Sequence, residues 1–407
     1  MDPAAAKKVE HTPATVWALG LVSLFTDIGG EMIFPILPRF LAALPGLGPT
    51  AVGLVEGVAD GIAQIGKPIA GARSDRMRRR KPYVLFGYGL SGLSRPLLGL
   101  TGSVGAATAV RASDRLGKGI RSAPRDALIA GSVDHDRQAR AFAVQQAMDH
   151  AGAVIGPLLA AALLGVGLSI PQVFVASAVP GLLAFLTILF FVREAPAART
   201  PVAVAAPAPA SAPARPDPIP RQLQSYFVIL FLFALGSSTD AMLLLHAGNS
   251  GLSPAQVTWL WSGFNAVKAV SNIPGGALAD RSGPVRSILA GWVVYGLVYA
   301  GFAAAHTPGA IVALFGAYGL YFGFAEGAEK VIVSRMVSPG NRGRAFGVMG
   351  FVNGVGTFIA SFATGWLYKS VGPGWAFGTG AAAALLAALA FAVWARVVTG
   401  PVPPRAD

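Results

Sequence analysis

Six ionisable side chains follow one another at helical spacing within an otherwise apolar stretch of the chain. They are Arg111, Asp114, Arg115, Lys118, Arg121 and Arg125. If each residue advances about 100° around a helix, the six fall within an arc of about 120° and form one charged stripe. At bilayer depth such a stripe would either bind an anion in a water-filled path or pair with carboxylates on neighbouring helices. Both interpretations stay open for Arg111, Arg115 and Lys118, for which we predict contact with a solute; Arg121 and Arg125 are expected at the membrane interface.

Two carboxylates stand one helical turn apart on the first apolar stretch. Asp27 and Glu31 are four residues apart and therefore share a helix face. Two close carboxylates in a low-dielectric site favour the protonated form of one of them, which suits a group that takes up and releases protons. We predict proton coupling at both residues, with permanent neutralisation by the basic stripe as the alternative. Thr239-Asp240 repeats Thr26-Asp27, which predicts that Asp240 contacts the solute from the mirror position.

A third group of charges lies in a later apolar stretch. Glu326 and Lys330 are four residues apart and are expected to pair on a helix, which leaves Glu329 without an obvious partner. We predict that Glu326 carries protons and that Glu329 contacts the solute. Arg95 is expected to extend its side chain to the membrane surface.

Composition identifies the solvent in which these charges are placed. The chain has 407 residues, of which 54% are hydrophobic and 13% charged, against about 25% charged in a typical soluble domain. The net charge of +13 does not predict nucleic-acid binding, because the basic residues alternate with apolar runs of membrane-spanning length. There is no Cys, and the five His lack metal-ligand spacing. With no nucleophile elbow or phosphate loop either, we expect no metal, no cofactor and no enzyme.

The elements that must position the charges are apolar runs long enough to cross a bilayer. They must be helical, because lipid cannot satisfy open backbone groups. We predict twelve spans in two pseudo-symmetric six-helix bundles, an all-α integral membrane protein, with the spans at 14–43, 50–72, 82–102, 105–129, 139–166, 170–193, 223–247, 254–278, 284–305, 308–334, 344–369 and 373–397. The predicted divisions are a tail at 1–13, a bundle at 14–193, an Ala/Pro-rich linker at 194–222, a bundle at 223–397 and a tail at 398–407.

Basic residues predict the orientation of the bundle. Arg and Lys are concentrated in the connections after spans 2, 4, 8 and 10, and the opposite connections are nearly bare of them, with Lys369 as the exception. Cytoplasmic connections carry such an excess. Both termini are therefore expected in the cytoplasm, with the protein in the bacterial cytoplasmic (inner) membrane.

Two short motifs recur half a chain apart and indicate a duplication. Gly71, Asp75 and Arg76 lie at the end of span 2 and just after it, and Gly276, Asp280 and Arg281 lie in the same way at the end of span 8. A second pair, Arg140-Ala-Phe and Arg344-Ala-Phe, lies downstream at almost the same offset. Aligning the halves at these arginines sets Asp149 opposite Asn353, so this carboxylate occurs in one half only.

These motifs resemble the signature of the major facilitator superfamily, and the likeness covers almost the whole chain. The resemblance implies two six-helix halves with cytoplasmic termini, and a gate in which Asp75 closes the cytoplasmic side against the start of span 11. We carry the gating role to Gly71, Asp75, Arg76, Gly276, Asp280 and Arg281. The first copy departs from the signature at Arg73 and Arg78. Gly152, Gly156 and Pro157 on span 5 are similar to the antiporter motif, also a gating element, although Ala160 and Ala161 replace its closing glycines.

Together these features predict a secondary active transporter that works by alternating access between its two halves. Its partners would be a small-molecule solute, protons and the lipid bilayer, and its site would lie between spans 1, 4, 7 and 10. Export of an anionic or polar molecule in exchange for protons is favoured by the Gly156-Pro157 motif. Uptake of an organic anion with protons, and a receptor on the same scaffold, stay open. We expect a monomer.

Overall fold

The computed structural model describes residues 14–77, 80–133, 138–192, 219–337 and 342–398. Within these ranges, the side chains of 64–77, 138–140, 143, 272–273, 275–280, 326 and 342–344 lie outside the description. The predicted tails at 1–13 and 398–407 and the linker at 194–222 fall almost wholly outside the described residues.

Helices make up the regular structure of the described residues, and no strand occurs there. The helices are α1 Ala14–Ile33, α2 Leu37–Ala43, α3 Pro49–Met77, α4 Lys81–Leu97, α5 Val104–Gly131, α6 Gln138–Gly165, α7 Ile170–Ala176, α8 Ala178–Phe191, α9 Arg221–Gly236, α10 Asp240–Asn249, α11 Pro254–Ser282, α12 Pro284–Ala304, α13 Pro308–Met336, α14 Arg342–Ser370 and α15 Pro373–Val398, with a 3-10 turn at Leu98–Leu100. They form twelve spans, because spans 1, 6 and 7 each consist of two helices.

The breaks in spans 1 and 7 have different causes. Pro35 lacks an N–H and disfavours helical backbone at Phe34, so α1 ends before it and α2 starts after it. In span 7, Thr239 caps α10 by accepting a hydrogen bond from the Ala241 N–H. Asp240 is therefore the first residue of a helix, whereas Asp27 lies within α1. The repeated Thr-Asp pair does not occupy equivalent backbone positions.

The two ends of the bundle are distinguished by their connections. The Gly46 end carries the short turns at 44–48, 101–103, 166–169, 250–253, 305–307 and 371–372. The Arg80 end carries the connections that contain most of the basic residues. Helices that start at the Gly46 end are capped by Ser103, Ser253 and Thr307, whose side chains each accept a backbone N–H. Gly46 and Gly48 have positive φ, which allows the tight turn between α2 and α3.

Packing within the two halves follows the same plan. In the first half, α1 packs on α6 and α8, α5 packs on α3 and α4, and α4 packs on α8. In the second half, α9 packs on α14 and α15, α13 packs on α11 and α12, and α12 packs on α15. The same span pairs are thus in contact in both halves, which confirms the predicted pair of pseudo-symmetric six-helix bundles.

The halves meet along two symmetric seams, α3 against α14 and α6 against α11. At the first seam a Cβ on Gly53 would collide with the backbone carbonyl of Ser361, so only glycine allows this approach. Thr50 Oγ1 donates to the Gly365 carbonyl over 3.3 Å, and Lys369 Nζ donates to the Gly46 carbonyl over 3.4 Å. The seam is therefore closed at the Gly46 end.

Eight of the spans described are long and apolar enough to cross a membrane on their own. The other four, formed by α3, α4, α5 and α11, carry more polar and charged residues. Three of these polar spans are consecutive and belong to the first half. They carry the charged stripe and most of its partners.

Candidate solute and proton site

The charged stripe of α5 is tied to α3 by a buried ion pair. Arg111 Nε and Nη2 donate to Glu56 Oε1 and Oε2 over 2.6 and 3.0 Å. Arg111 Nη1 donates to Asp114 Oδ2 over 2.9 Å. Glu56 is 0% exposed and Arg111 2% exposed. All three guanidinium nitrogens are thus engaged by carboxylates of the protein, and the network holds α3 against α5.

Arg95 of α4 extends this network instead of reaching the membrane surface. It is buried, its Nε lies 3.1 Å from Asp114 Oδ1, and its Nη1 donates to the Thr26 carbonyl over 2.5 Å. The expectation that Arg95 extends to the surface was wrong, because the side chain has a buried carboxylate within reach. Through Arg95 the network also contacts the backbone of α1 beside Asp27.

At Arg115 the ion-pair network reaches side chains that are partly exposed to solvent. Its Nη2 lies 3.5 Å from Glu56 Oε2 and its Nε 3.3 Å from Asp60 Oδ1. The side chain of Asp60 is 44% exposed. Arg95, Arg111 and Arg115 are balanced by Glu56, Asp60 and Asp114. Within this group of six, the net charge is therefore close to zero.

Lys118 lies about one turn beyond Arg115 on α5 and adds a positive charge that this network does not balance. It is exposed and forms no ion pair with a described residue. Its charge nevertheless interacts with Asp27 of α1 and Asp60 of α3. Lys118 therefore lies within electrostatic range of carboxylates on α1 and α3. Of the three solute contacts predicted on the stripe, Lys118 is the one whose charged group is left available.

The two predicted proton carriers of α1 have separate partners. Asp27 faces α6 beside Gly152, and its charge interacts with that of Asp149 on the same helix. Glu31 Oε2 accepts the indole N–H of Trp261, on α11 in the other half, over 2.6 Å. Asp27 and Glu31 thus share a helix face but contact different halves of the molecule.

The predicted gating residues of span 5 contact the same face of α1. A Cβ on Gly152 would collide with the Leu24 carbonyl and approach Asp27 Cβ, and one on Gly156 would collide with the Ile28 carbonyl and approach Glu31 Cβ. Both glycines therefore allow α6 to approach α1 at its two carboxylates. Pro157 continues α6, which runs unbroken to Gly165.

Aromatic rings dominate the corresponding part of the second half. Trp261 stacks on Phe264 and Phe264 on Tyr318, with ring centroids 4.7 and 5.2 Å apart. The Tyr318 hydroxyl donates to Asp240 Oδ1 over 2.7 Å. Lys268 Nζ lies 3.9 Å from the centroid of the Phe322 ring. The site thus has an ionic side on α1, α3 and α5 and an aromatic side on α11 and α13.

Two other predicted residues that the structure describes, Glu329 and Arg281, lie away from this site. Glu329 is buried between α12 and α13, where Trp292 Nε1 donates to its Oε1 over 2.9 Å. Arg281 is exposed at the end of α11. The side chains of Glu326, Gly71, Asp75, Arg76, Gly276 and Asp280 lie outside the described residues.

The residues of α11 that contact Glu31 and the backbone of α6 were not predicted from the sequence. Trp261 and Phe264 are three residues apart and so share a helix face, a spacing that the sequence contains. That Trp261 contacts Glu31 depends on how the halves are seated against each other. Ser262 and Asn265 complete this seam by donating to the carbonyls of Val154 and Ala153 on α6 over 3.0 and 3.4 Å.

Comparison with known proteins agrees with this fold. The Major Facilitator Superfamily profile matches residues 19–247 and 225–407. The chain is 31% identical over 381 residues to an uncharacterized MFS-type transporter, MJ1317, of Methanocaldococcus jannaschii, covering 92% of this chain and 93% of that protein. It is similar in fold to crystal structures of a POT peptide transporter (TM-score 0.77, 14% identity, 96% of each chain) and of the nucleoside transporter NupG (TM-score 0.75, 16% identity, 93% of this chain and 98% of that one). The chain therefore belongs to the major facilitator superfamily, a family of multi-pass membrane transporters and not of enzymes.

Proposed function

We propose that this transporter moves a small anionic or polar solute by alternating access, coupled to protons. The observation that carries the proposal is the exposed ammonium of Lys118, which lacks an ion pair in the described residues and acts on carboxylates of α1 and α3. An uncompensated charge at bilayer depth is costly unless it meets water, a partner or a ligand. An anionic group of the solute would supply that partner.

We assign solute contact in the first half to Lys118 and Arg115, with Asp60 beside them. Arg111, also predicted to contact the solute, would instead position Arg115, because both arginines bind Glu56. In the second half Asp240 and Lys268 are half-buried and their charges interact. Glu329 stays a predicted contact that the packing around Trp292 does not favour.

The exposure of Lys118 supports an arrangement in which the site is accessible from the Arg80 end. Hydrogen bonds between described residues of the halves are found at Gly46, at Thr50 and near Glu31 and Asn265. Lys118 lies farther toward the Arg80 end and is exposed. With the basic connections in the cytoplasm of a bacterial cell, the site would face the cytoplasm. This is the state in which an exporter loads its solute and an importer releases it.

Two observations favour opposite coupling modes. The packing of Gly152 and Gly156 against Asp27 and Glu31 supports export in exchange for protons, as the antiporter-like motif predicts. The position of Lys118 supports the alternative, in which an organic anion enters with protons. An anion that neutralises Lys118 removes a positive charge beside Asp27 and thereby favours a proton there.

Solute flux into proteoliposomes tests both coupling modes. The purified protein is reconstituted and screened against chemically distinct solutes, organic anions first, with a pH step of either sign. Solute movement driven by the pH step supports proton-coupled transport, and the sign of the effective step separates exchange from co-transport. Binding without flux would favour a receptor and would overturn the proposal.

A further inference from the structure

A cavity of about 160 Å³ lies between the two halves at the Gly46 end. The break between α1 and α2 and the start of α2 line it from the first half, and the end of α10 and the start of α11 line it from the second. The helices α2 and α10 also pack directly on each other. Because both halves supply its walls, the cavity belongs to the state in which the Gly46 end is closed.

The inner wall of the cavity is apolar and its size suits a small ring. Ile36, Leu244, Leu245 and Val257 line it, and each of these side chains is at most 4% exposed. An apolar cavity of about 150 Å³ in another protein holds a benzene molecule. The cavity at the Gly46 end therefore has room for one six-membered ring.

Arg39 of α2 lines the same cavity and brings a charge without a partner. Its side chain is exposed and forms no ion pair or hydrogen bond with another residue that the structure describes. The turns of the Gly46 end contain no Asp or Glu. Glu31, on the preceding helix, is engaged by Trp261. The Arg39 guanidinium therefore keeps its donors for water or for a ligand.

The second half adds the positive end of a helix dipole. The helix α11 runs for 29 residues from Pro254, which lines the cavity, and a helix N-terminus favours an anion. The N–H groups of Gln256 and Val257 are bonded to Ser253, so direct contact is left to Arg39. The negative end of α10 is muted, because three of its last carbonyls accept N–H groups of the turn at 250–253.

We propose that this cavity binds a small organic carboxylate, with the carboxylate on the Arg39 guanidinium and an apolar body of one ring against the buried wall. The fork of an arginine can donate to both oxygens of a carboxylate. The walls separate when the Gly46 end opens, so the bound molecule stabilises the closed state and slows its opening. The site is distinct from that of Lys118 and does not depend on the proposed function.

Labelling of a cysteine in the cavity tests the site. The chain has no native Cys, so Leu245→Cys supplies a single thiol in the buried wall. Its reaction with a membrane-impermeant maleimide is followed in detergent at constant ionic strength, with sodium benzoate or with benzamide, the neutral molecule of the same shape. We expect benzoate to slow labelling several-fold and benzamide to leave the rate unchanged, because only the carboxylate engages Arg39.

Variants of the cations identify the group that binds benzoate. Arg39→Gln should remove the protection, and Arg39→Lys, which keeps the charge and loses the fork, should retain part of it. Lys369→Gln removes a second exposed cation at the same end and is the matched control, so protection should persist. Lys118→Gln should also keep the protection, which separates this site from the proposed solute site.

Three labelling results would overturn the site: equal effects of benzoate and benzamide, protection that persists in Arg39→Gln, or protection that is lost in Lys118→Gln. The Tm of Lys118→Gln without the reporter cysteine gives an independent measurement. Benzoate, and not benzamide, should raise this Tm as its concentration rises, and an unchanged Tm would exclude binding. Neither measurement needs flux, so a protein that passes both but shows no pH-driven flux would count against the proposed function only.

Discussion

The indole N–H of Trp261 donates to Glu31 Oε2 over 2.6 Å, and this bond joins the two halves of the molecule. Trp261 is buried and also contacts Phe34 of the first half, with ring centroids 5.0 Å apart. Because α11 and α1 belong to different halves, opening of the Gly46 end must break this bond. One of the two carboxylates on α1 thereby contributes to the closure of that end.

Replacing Trp261 with Phe should weaken the closure, because the ring remains and the N–H is lost. The absence of native cysteine allows a single reporter, Leu245→Cys, in the buried wall of a cavity of about 160 Å³ at the Gly46 end. We expect a membrane-impermeant maleimide to label this cysteine several-fold faster in Trp261→Phe. Trp259→Phe, an exposed ring two residues away, is the control. Equal labelling of both variants would contradict the role of the bond.

Gly53→Ala should shift the protein away from the closed state at the Gly46 end. The new Cβ would collide with the backbone carbonyl of Ser361 on α14, and backbone cannot rotate away as a side chain can. Gly61→Ala, on the same helix, places its Cβ in open space and is the matched control. Faster labelling of Leu245→Cys is expected in the first variant only. An unchanged rate in Gly53→Ala would mean that the seam tolerates a methyl group.

Arg111→Ala should destabilise the fold, because it leaves Glu56 and Asp114 buried with less compensation. Breaking one side of a buried ion pair costs roughly 3–5 kcal/mol. We expect a clear fall in the apparent Tm in detergent and partial recovery in the double variant with Glu56→Gln. Lys118→Ala, which removes an exposed charge without an ion pair in the described residues, should leave the Tm nearly unchanged. Similar losses in Arg111→Ala and Lys118→Ala would argue against the structural role of Arg111.

Lys118→Gln should abolish pH-driven flux of an anion identified by the solute screen while leaving the Tm near the wild-type value. Lys118→Arg retains the charge, and we expect it to preserve part of the flux. Lys81→Gln removes a half-buried lysine at the Arg80 end, whose Nζ donates to the Leu189 carbonyl, and controls for the loss of a positive charge. Normal flux in Lys118→Gln would remove the anion site.

The spans were predictable from the sequence because hydropathy and basic connections suffice to place them. The breaks within the spans were harder to predict. Span 1 was predicted as one run at 14–43, although Pro35 in the sequence marks the division between α1 and α2. The Thr-Asp pairs at 26–27 and 239–240 were expected to mirror each other, yet the second pair starts a helix. Local identity of two residues does not fix the backbone when the neighbouring sequence differs.

The charged stripe was recognisable, but the partners of its members were not. Helical periodicity shows which residues share a face of α5, and it contains nothing about the rotation of α3 and α4 against that face. For this reason Arg111 could be a solute contact or an ion pair until the position of Glu56 was known. Arg95 shows the same limit, since its partner Asp114 lies on the next span.

The ion pairs between α3, α4 and α5 constrain how the chain enters the membrane during synthesis. Presented singly to lipid, each of these helices would expose an arginine or a carboxylate, at about 2.5–3.5 kcal/mol for each such residue at the bilayer centre. Asp114 and Arg111 on the fourth span neutralise Arg95 of the third and Glu56 of the second. The second and third spans are therefore expected to be more stable in the bilayer once the fourth span is present to pair with them.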